Sequence, residues 1–131
     1  MKLGYVLIYV ADVHASVAFY SRAFGLTARF IAEGGQYAEL ETGATALGFV
    51  ARGFAEKNLA HGAIAPLSRT LPAPAVEIAL VTEDVAVALA HAVAAGAELA
   101  ADPQVKPWGQ TVAYVRDLDG VLVELCSPIQ G

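Results

Sequence analysis

Residues 5–26 read YVLIYVADVHASVAFYSRAFGL, and the change of period inside this stretch sets the fold class. LGYVLIYVA (3–11) is apolar and rich in β-branched and aromatic residues, which is the composition of a strand. Asp12 is an N-cap residue by type. From Val13 the apolar side chains Val13, Val17, Phe19, Tyr20 and Phe24 recur at helical spacing, and Gly25 follows as a stop. LTARFIAE (26–33) returns to strand and Gly34-Gly35 is a hairpin turn. QYAELET and TALGFVA are two further strands joined around Gly43. The first part of the chain reads strand, helix, three strands.

The same order returns after residue 74. AVEIALVTED is a strand ending in acidic residues, with Asp84 in the part of Asp12. VAVALAHAVAAG is an Ala-rich helix stopped at Gly96, and AELAADP is a strand that ends in a turn from Pro103 to Pro107. QTVAYVRD and VLVELCS are strands flanking an Asp117–Gly120 turn. YVLIYVADV (5–13) and EIALVTEDV (77–85) match in residue type, so the chain is read as an internal duplication. The expected architecture is α+β: module one over 1–51, a connector over 52–73 and module two over 74–131, each module a βαβββ unit. The connector holds Gly, Pro, Asn and Ser without a sustained period, with one short helix expected at Phe54–Leu59. Each unit leaves one sheet face bare. Two curled sheets placed edge to edge, with their helices outside, are expected to make a half-open barrel whose crevice takes the ligand.

Composition narrows the function classes. The 131 residues are 56% hydrophobic and only 16% charged, so an apolar core and a buried homodimer interface are expected. No apolar run approaches the roughly 18 residues that span a bilayer, and the N-terminus reads as a first strand rather than a signal peptide. A net charge of −5 without a Lys/Arg cluster argues against nucleic acid or an anionic membrane as partner. The single cysteine, Cys126, excludes an internal disulfide and fits a reducing cytoplasm. It reads as a small buried hydrophobe.

Three stretches carry a family resemblance: YVADVHASVAFYSRAFGL, EIALVTEDVAVALAHAVAAGAEL and GQTVAYVRDLDGVLVELCSP. The Phe19-Tyr20 pair before Gly25 and the Asp-x-Asp-Gly turn before x-Glu-Leu are the specific parts. The chain resembles the vicinal oxygen chelate superfamily, which contains glyoxalase I, extradiol dioxygenases and the bleomycin-resistance binding proteins. The resemblance implies a fold and not a reaction, because this fold hosts several unrelated ones. In metal-dependent members, inward residues on the first and last strands of each module hold a divalent ion. In glyoxalase I these are His or Gln, Glu, His and Glu. Carried over to this chain, the positions fall on Tyr5, on Leu47 or Gly48, on Glu77 and on Glu124. Only Glu124 fits the pattern. A transition-metal site needs at least three protein ligands, commonly with imidazole. His14 and His91 belong to helices expected outside the barrel, and His61 lies in the connector. The expected metal set is therefore none; a divalent metal, if held, would use Glu77 and Glu124.

Strand alternation places Glu77 with Ala79 and Val81, and Glu124 with Leu122, away from the larger apolar side chains. Both carboxylates then face the crevice. They are either a wet wall, or a close pair that shares a proton or binds a cation. The expected ligand-binding set is Tyr5, Phe49, Glu77, Trp108, Gln110, Tyr114 and Glu124, with Tyr37 as further aromatic wall. Trp108 either stacks on a planar ligand or covers the core edge. Arg116 is expected to pair with Asp117 or Asp119 at the surface. Two functions stay open. One is a metal-free protein that sequesters a small, partly aromatic molecule, as the resistance proteins do. The other is a metal-dependent lyase or isomerase like glyoxalase I (lactoylglutathione lyase), with Glu124 as catalytic ligand or base. A dioxygenase would need a two-His-one-carboxylate triad, and the expected positions do not hold one.

Overall fold

The computed structural model describes residues 1–130. The chain divides into two compact units, Met1–Pro66 and Leu67–Gly131. The first contains β1 (Tyr5–Val10), α1 (Val13–Phe24), β2 (Ala28–Ile31), β3 (Tyr37–Leu40), β4 (Ala46–Ala51) and α2 (Arg52–Ala55). Asp12 stays extended, and its carboxylate accepts the Ala15 N–H at 3.1 Å, which starts α1. Gly25 ends the helix at φ 70°, a left-handed conformation that glycine adopts without a Cβ clash. The sheet order is β1-β4-β3-β2, with β1 parallel to β4 and the other pairs antiparallel.

Alternation decides what each face of this sheet meets. Val10, Ala38, Leu40 and Phe49 are fully or almost fully buried, as are Phe19 and Tyr20 of α1. Tyr20 meets Phe49 edge to face at 5.0 Å and Phe24 at 5.1 Å. Phe49, expected as crevice wall, is therefore helix-side core. Its pairing partner Ala38 shares that face, while Gly48 takes the other. The short helix also differs from expectation. It begins directly after β4, at Arg52 and not Phe54, because the Glu56 N–H already closes onto the Arg52 carbonyl at 3.3 Å.

The second unit repeats the order with β5 (Glu77–Val81), α3 (Val85–Ala94), β6 (Glu98–Val105), β7 (Thr111–Arg116) and β8 (Leu122–Cys126), as β5-β8-β7-β6. Asp84 caps α3 through the Val87 N–H at 3.1 Å, as Asp12 caps α1. Val85, Leu89 and Ala92 of the helix are buried together with Ala113, Val115, Val123 and Leu125 of the sheet. β6 runs through Pro103 to Val105, where a turn was expected. The register of the edge strand shifts between Ala101 and Gln104, so the missing N–H of Pro103 falls where the ladder is already broken.

The Asp-Leu-Asp-Gly turn has a structural cause. Asp117 is fully buried, and its Oδ1 accepts the N–H groups of Asp119, Gly120 and Val121 at 2.8–2.9 Å. Arg116 does not pair with Asp117 or Asp119 as expected. It donates to the carbonyls of Gly120, Ser68 and Leu71. Arg69 donates to the carbonyls of Asp117 (2.8 Å) and Gly96 (2.6 Å). The late part of the connector is thus stapled to the second unit, and its early part belongs to the first.

Two substitutions test this packing. Phe49→Ala is expected to cost about 3–5 kcal/mol in chemical denaturation, the range for a buried aromatic; a loss under ~1 kcal/mol would place Phe49 outside the core. At Gly120, φ is 105° and an added Cβ would lie 2.7 Å from the Ser68 carbonyl carbon. Gly120→Ala is expected to lower stability by about 2 kcal/mol or more, read as a lower denaturation midpoint at unchanged slope.

Candidate functional site

In the second unit, β5, β7 and β8 bring three polar groups to the face away from α3. Register pairs Ala79 with Glu124 and Tyr114 with Glu124. Glu77, two residues before Ala79, lies on the same face. The Tyr114 hydroxyl donates to Glu124 Oε1 at 3.0 Å. Glu77 lies near enough to Glu124 for the charge on one carboxyl to act on the other. Burial and then the neighbouring Glu124 charge push the Glu77 carboxyl above its ordinary pKa. Burial and then the bond to Glu124 push the Tyr114 phenol up to about 12, so it stays a donor at neutral pH. Among the described residues no ion pair reaches Glu77 or Glu124. The arrangement can hold one proton or accept one positive charge.

The other expected residues divide. Trp108 is 63% exposed, so it does not cover the core edge; its indole N–H donates to Gln110 Oε1 at 2.9 Å. Gln110 in turn donates to the Ser127 carbonyl. These two form a chain at the start of β7, at the end of the face that carries Tyr114. Cys126 shares the face with Glu124 but is 2% exposed, and burial raises its thiol pKa. It is a poor nucleophile in that state. Tyr5 is 59% exposed on β1 of the first unit and pairs with Ala46.

The first unit holds a carboxylate that sequence reading missed. Register aligns Leu7, Gly48 and Glu39 across β1, β4 and β3, as it aligns Ala79, Glu124 and Tyr114 across β5, β8 and β7. Gly48 is therefore the counterpart of Glu124, and the facing strand supplies the acid. Glu39 is 8% exposed, accepts the Tyr37 hydroxyl at 2.8 Å and lies 3.4 Å from Arg29, which also pairs with Glu41 at 2.7 Å. Burial, then the bond to Glu39, raises the Tyr37 phenol to about 12. The alternation Tyr37, Glu39, Glu41 in QYAELET was the available signal.

These residues do not fit the metal of the family's metal-dependent members. The four carried-over positions hold a phenol, a glycine and two carboxyls. At Gly48 an added Cβ would lie 2.8 Å from the Ala38 carbonyl oxygen, so a longer side chain has no room. His14, His61 and His91 are all exposed. Among the described residues no three of His, Cys, Asp and Glu gather as a metal site. None of their helices is long and apolar enough to cross a membrane.

Comparison with known proteins agrees with this architecture. A glyoxalase-related enzyme from Fulvimarina pelagi superposes with a TM-score of 0.78 at 20% identity, covering 97% of this chain and 88% of its own. A glyoxalase/bleomycin resistance protein/dioxygenase family enzyme from Burkholderia phytofirmans PsJN gives 0.78 at 22% identity, covering 99% and 100%. TioX from Micromonospora sp. ML1 gives 0.71 at 22%, covering 99% and 98%. No curated relative matches the sequence. The model of one family matches residues 2–125, both units almost in full, and the chain belongs to that family, the Glyoxalase/Bleomycin resistance protein/Dioxygenase superfamily.

Proposed function

We propose that this protein is a metal-free binding protein that sequesters a small, partly aromatic molecule bearing one positive charge. The observation that carries the reading is the Glu77–Glu124 pair: two carboxyls on one sheet face, one fixed by Tyr114, with no cation bonded to either among the described residues. A ligand cation beside the pair favours the charged form of both carboxyls and bonds to them. Trp108 and Gln110 at the head of β7 offer a planar surface and an amide. The reading takes the working form as a cytoplasmic homodimer. The exposed Val81 (66%) on edge strand β5 and Val76 (67%) just before it support a covered surface.

The test uses N-methylquinolinium and its neutral counterpart 4-methylquinoline, titrated calorimetrically at pH 8. The wild type is expected to prefer the cation. Glu124→Gln is expected to weaken the cation about tenfold, close to 1.4 kcal/mol, and to leave the neutral compound unchanged. Equal binding of the cation by both proteins sinks the reading. Stoichiometric nickel, zinc, iron or manganese in protein purified without chelator, lost on Glu124→Gln, would replace it with the lyase/isomerase reading.

The raised pKa of Glu77 gives a stability test. A carboxyl whose folded pKa is raised contributes stability fully present below its unfolded pKa and lost as pH rises through the folded one. Glu77→Gln is therefore expected to raise the melting temperature at pH 7, with the gain vanishing below about pH 4. The gain stays under about 1 kcal/mol, because Glu77 is exposed and water screens it. A constant difference across the range would contradict the raised pKa.

A further inference from the structure

The early connector lines a partly open pocket of about 290 Å³ wholly within the first unit. Arg52, Glu56, Leu59, His61, Ile64 and Pro66 line it. Arg52 is half-buried at the start of α2. Its guanidinium donates to two neutral acceptors, the Ala65 carbonyl (Nη1, 3.0 Å) and the Ile64 carbonyl (Nη2, 2.6 Å). Those bonds engage two of five N–H donors. Glu56, one helical turn away, is exposed and forms no ion pair with it. Among the described residues Arg52 has no carboxylate partner.

An arginine held at a cavity wall without a counter-charge is matched to an anion. Its planar fork suits a carboxylate, and charge-assisted bonds are about twice as strong as those to a neutral carbonyl. The remaining wall is Leu59, Ile64, Pro66, the alanines at 60, 63 and 65, Gly62 and the His61 imidazole. The volume is at the lower end for ligand sites and holds roughly ten non-hydrogen atoms. We propose that this cavity is a separate binding site for a small aliphatic monocarboxylate, its carboxylate on Arg52 and its tail against Leu59, Ile64 and Pro66. Glu56 at the rim opposes the anion and limits its affinity. The site shares no residue with the Glu77–Glu124 face.

Hexanoate, hexanamide and hexylammonium are the probes, followed by amide NMR shifts on the full chain. Hexanoate is expected to shift resonances of residues 52–66, with hexanamide and hexylammonium at least tenfold weaker. Arg52→Gln should weaken hexanoate about tenfold or more, and Glu56→Gln should tighten it two- to fivefold. Three results each overturn the proposal: no perturbation by hexanoate to 10 mM, equal binding of the amide, or shifts confined to residues outside 52–66. The hexanoate–hexanamide comparison needs only the wild type, so it decides the matter even where Arg52→Gln does not fold.

Discussion

Alternation along β4 and β8 is the constraint on which the rest depends. Within each strand, one set of side chains must be large and apolar to bury a helix: Phe49 under Tyr20 in the first unit, and Val123 and Leu125 under α3 in the second. Burial of each such side chain is worth about 1.5–3 kcal/mol, far more than any polar group on the opposite face contributes. The helix side therefore fixes register, since a slip of one residue would exchange the two faces. Once register is set, the polar set has no freedom of placement. Glu124 stands beside Tyr114 and Glu39 beside Gly48 because the apolar residues between them are held in place.

Much of this was legible in the sequence because it depends on period and on local chemistry. The two Asp caps, the glycine stop at Gly25, the duplicated element order and the common sheet face of Glu77 and Glu124 all follow from patterns within a few residues. Other features depend on what lies across a strand pair. Phe49 and Gly48 are neighbours in sequence, and nothing local says which of the two faces α1. Glu39 was hidden for the same reason: its importance comes from pairing with Gly48. Arg116 was placed at the surface from its acidic sequence neighbours, but the carbonyls it binds at Ser68 and Leu71 lie more than forty residues away. Pro103 reads as a breaker, and only the shifted register of an edge strand shows why it is tolerated.

The two polar clusters differ in charge balance. Arg29 offsets Glu39 and Glu41, so the first unit's acids are engaged internally. Glu77 and Glu124 in the second unit lack such an ion-pair partner among the described residues, and Tyr114 supplies only a neutral donor. Charge left without a partner at a half-exposed position is tolerated where a proton or an outside group completes it. The phenols in both units stay protonated well above neutral pH and act as positioning donors, not bases.

The Gly48–Glu39 exchange bears on how relatives of this chain are compared. Position by position, the first module has lost an acid. Summed over the sheet surface, it has kept one, moved along the same rung to the neighbouring strand. Two proteins of this fold can therefore differ at every aligned ligand column and still present the same electrostatic landscape. A census of such chains made by surface instead of by column would group them differently.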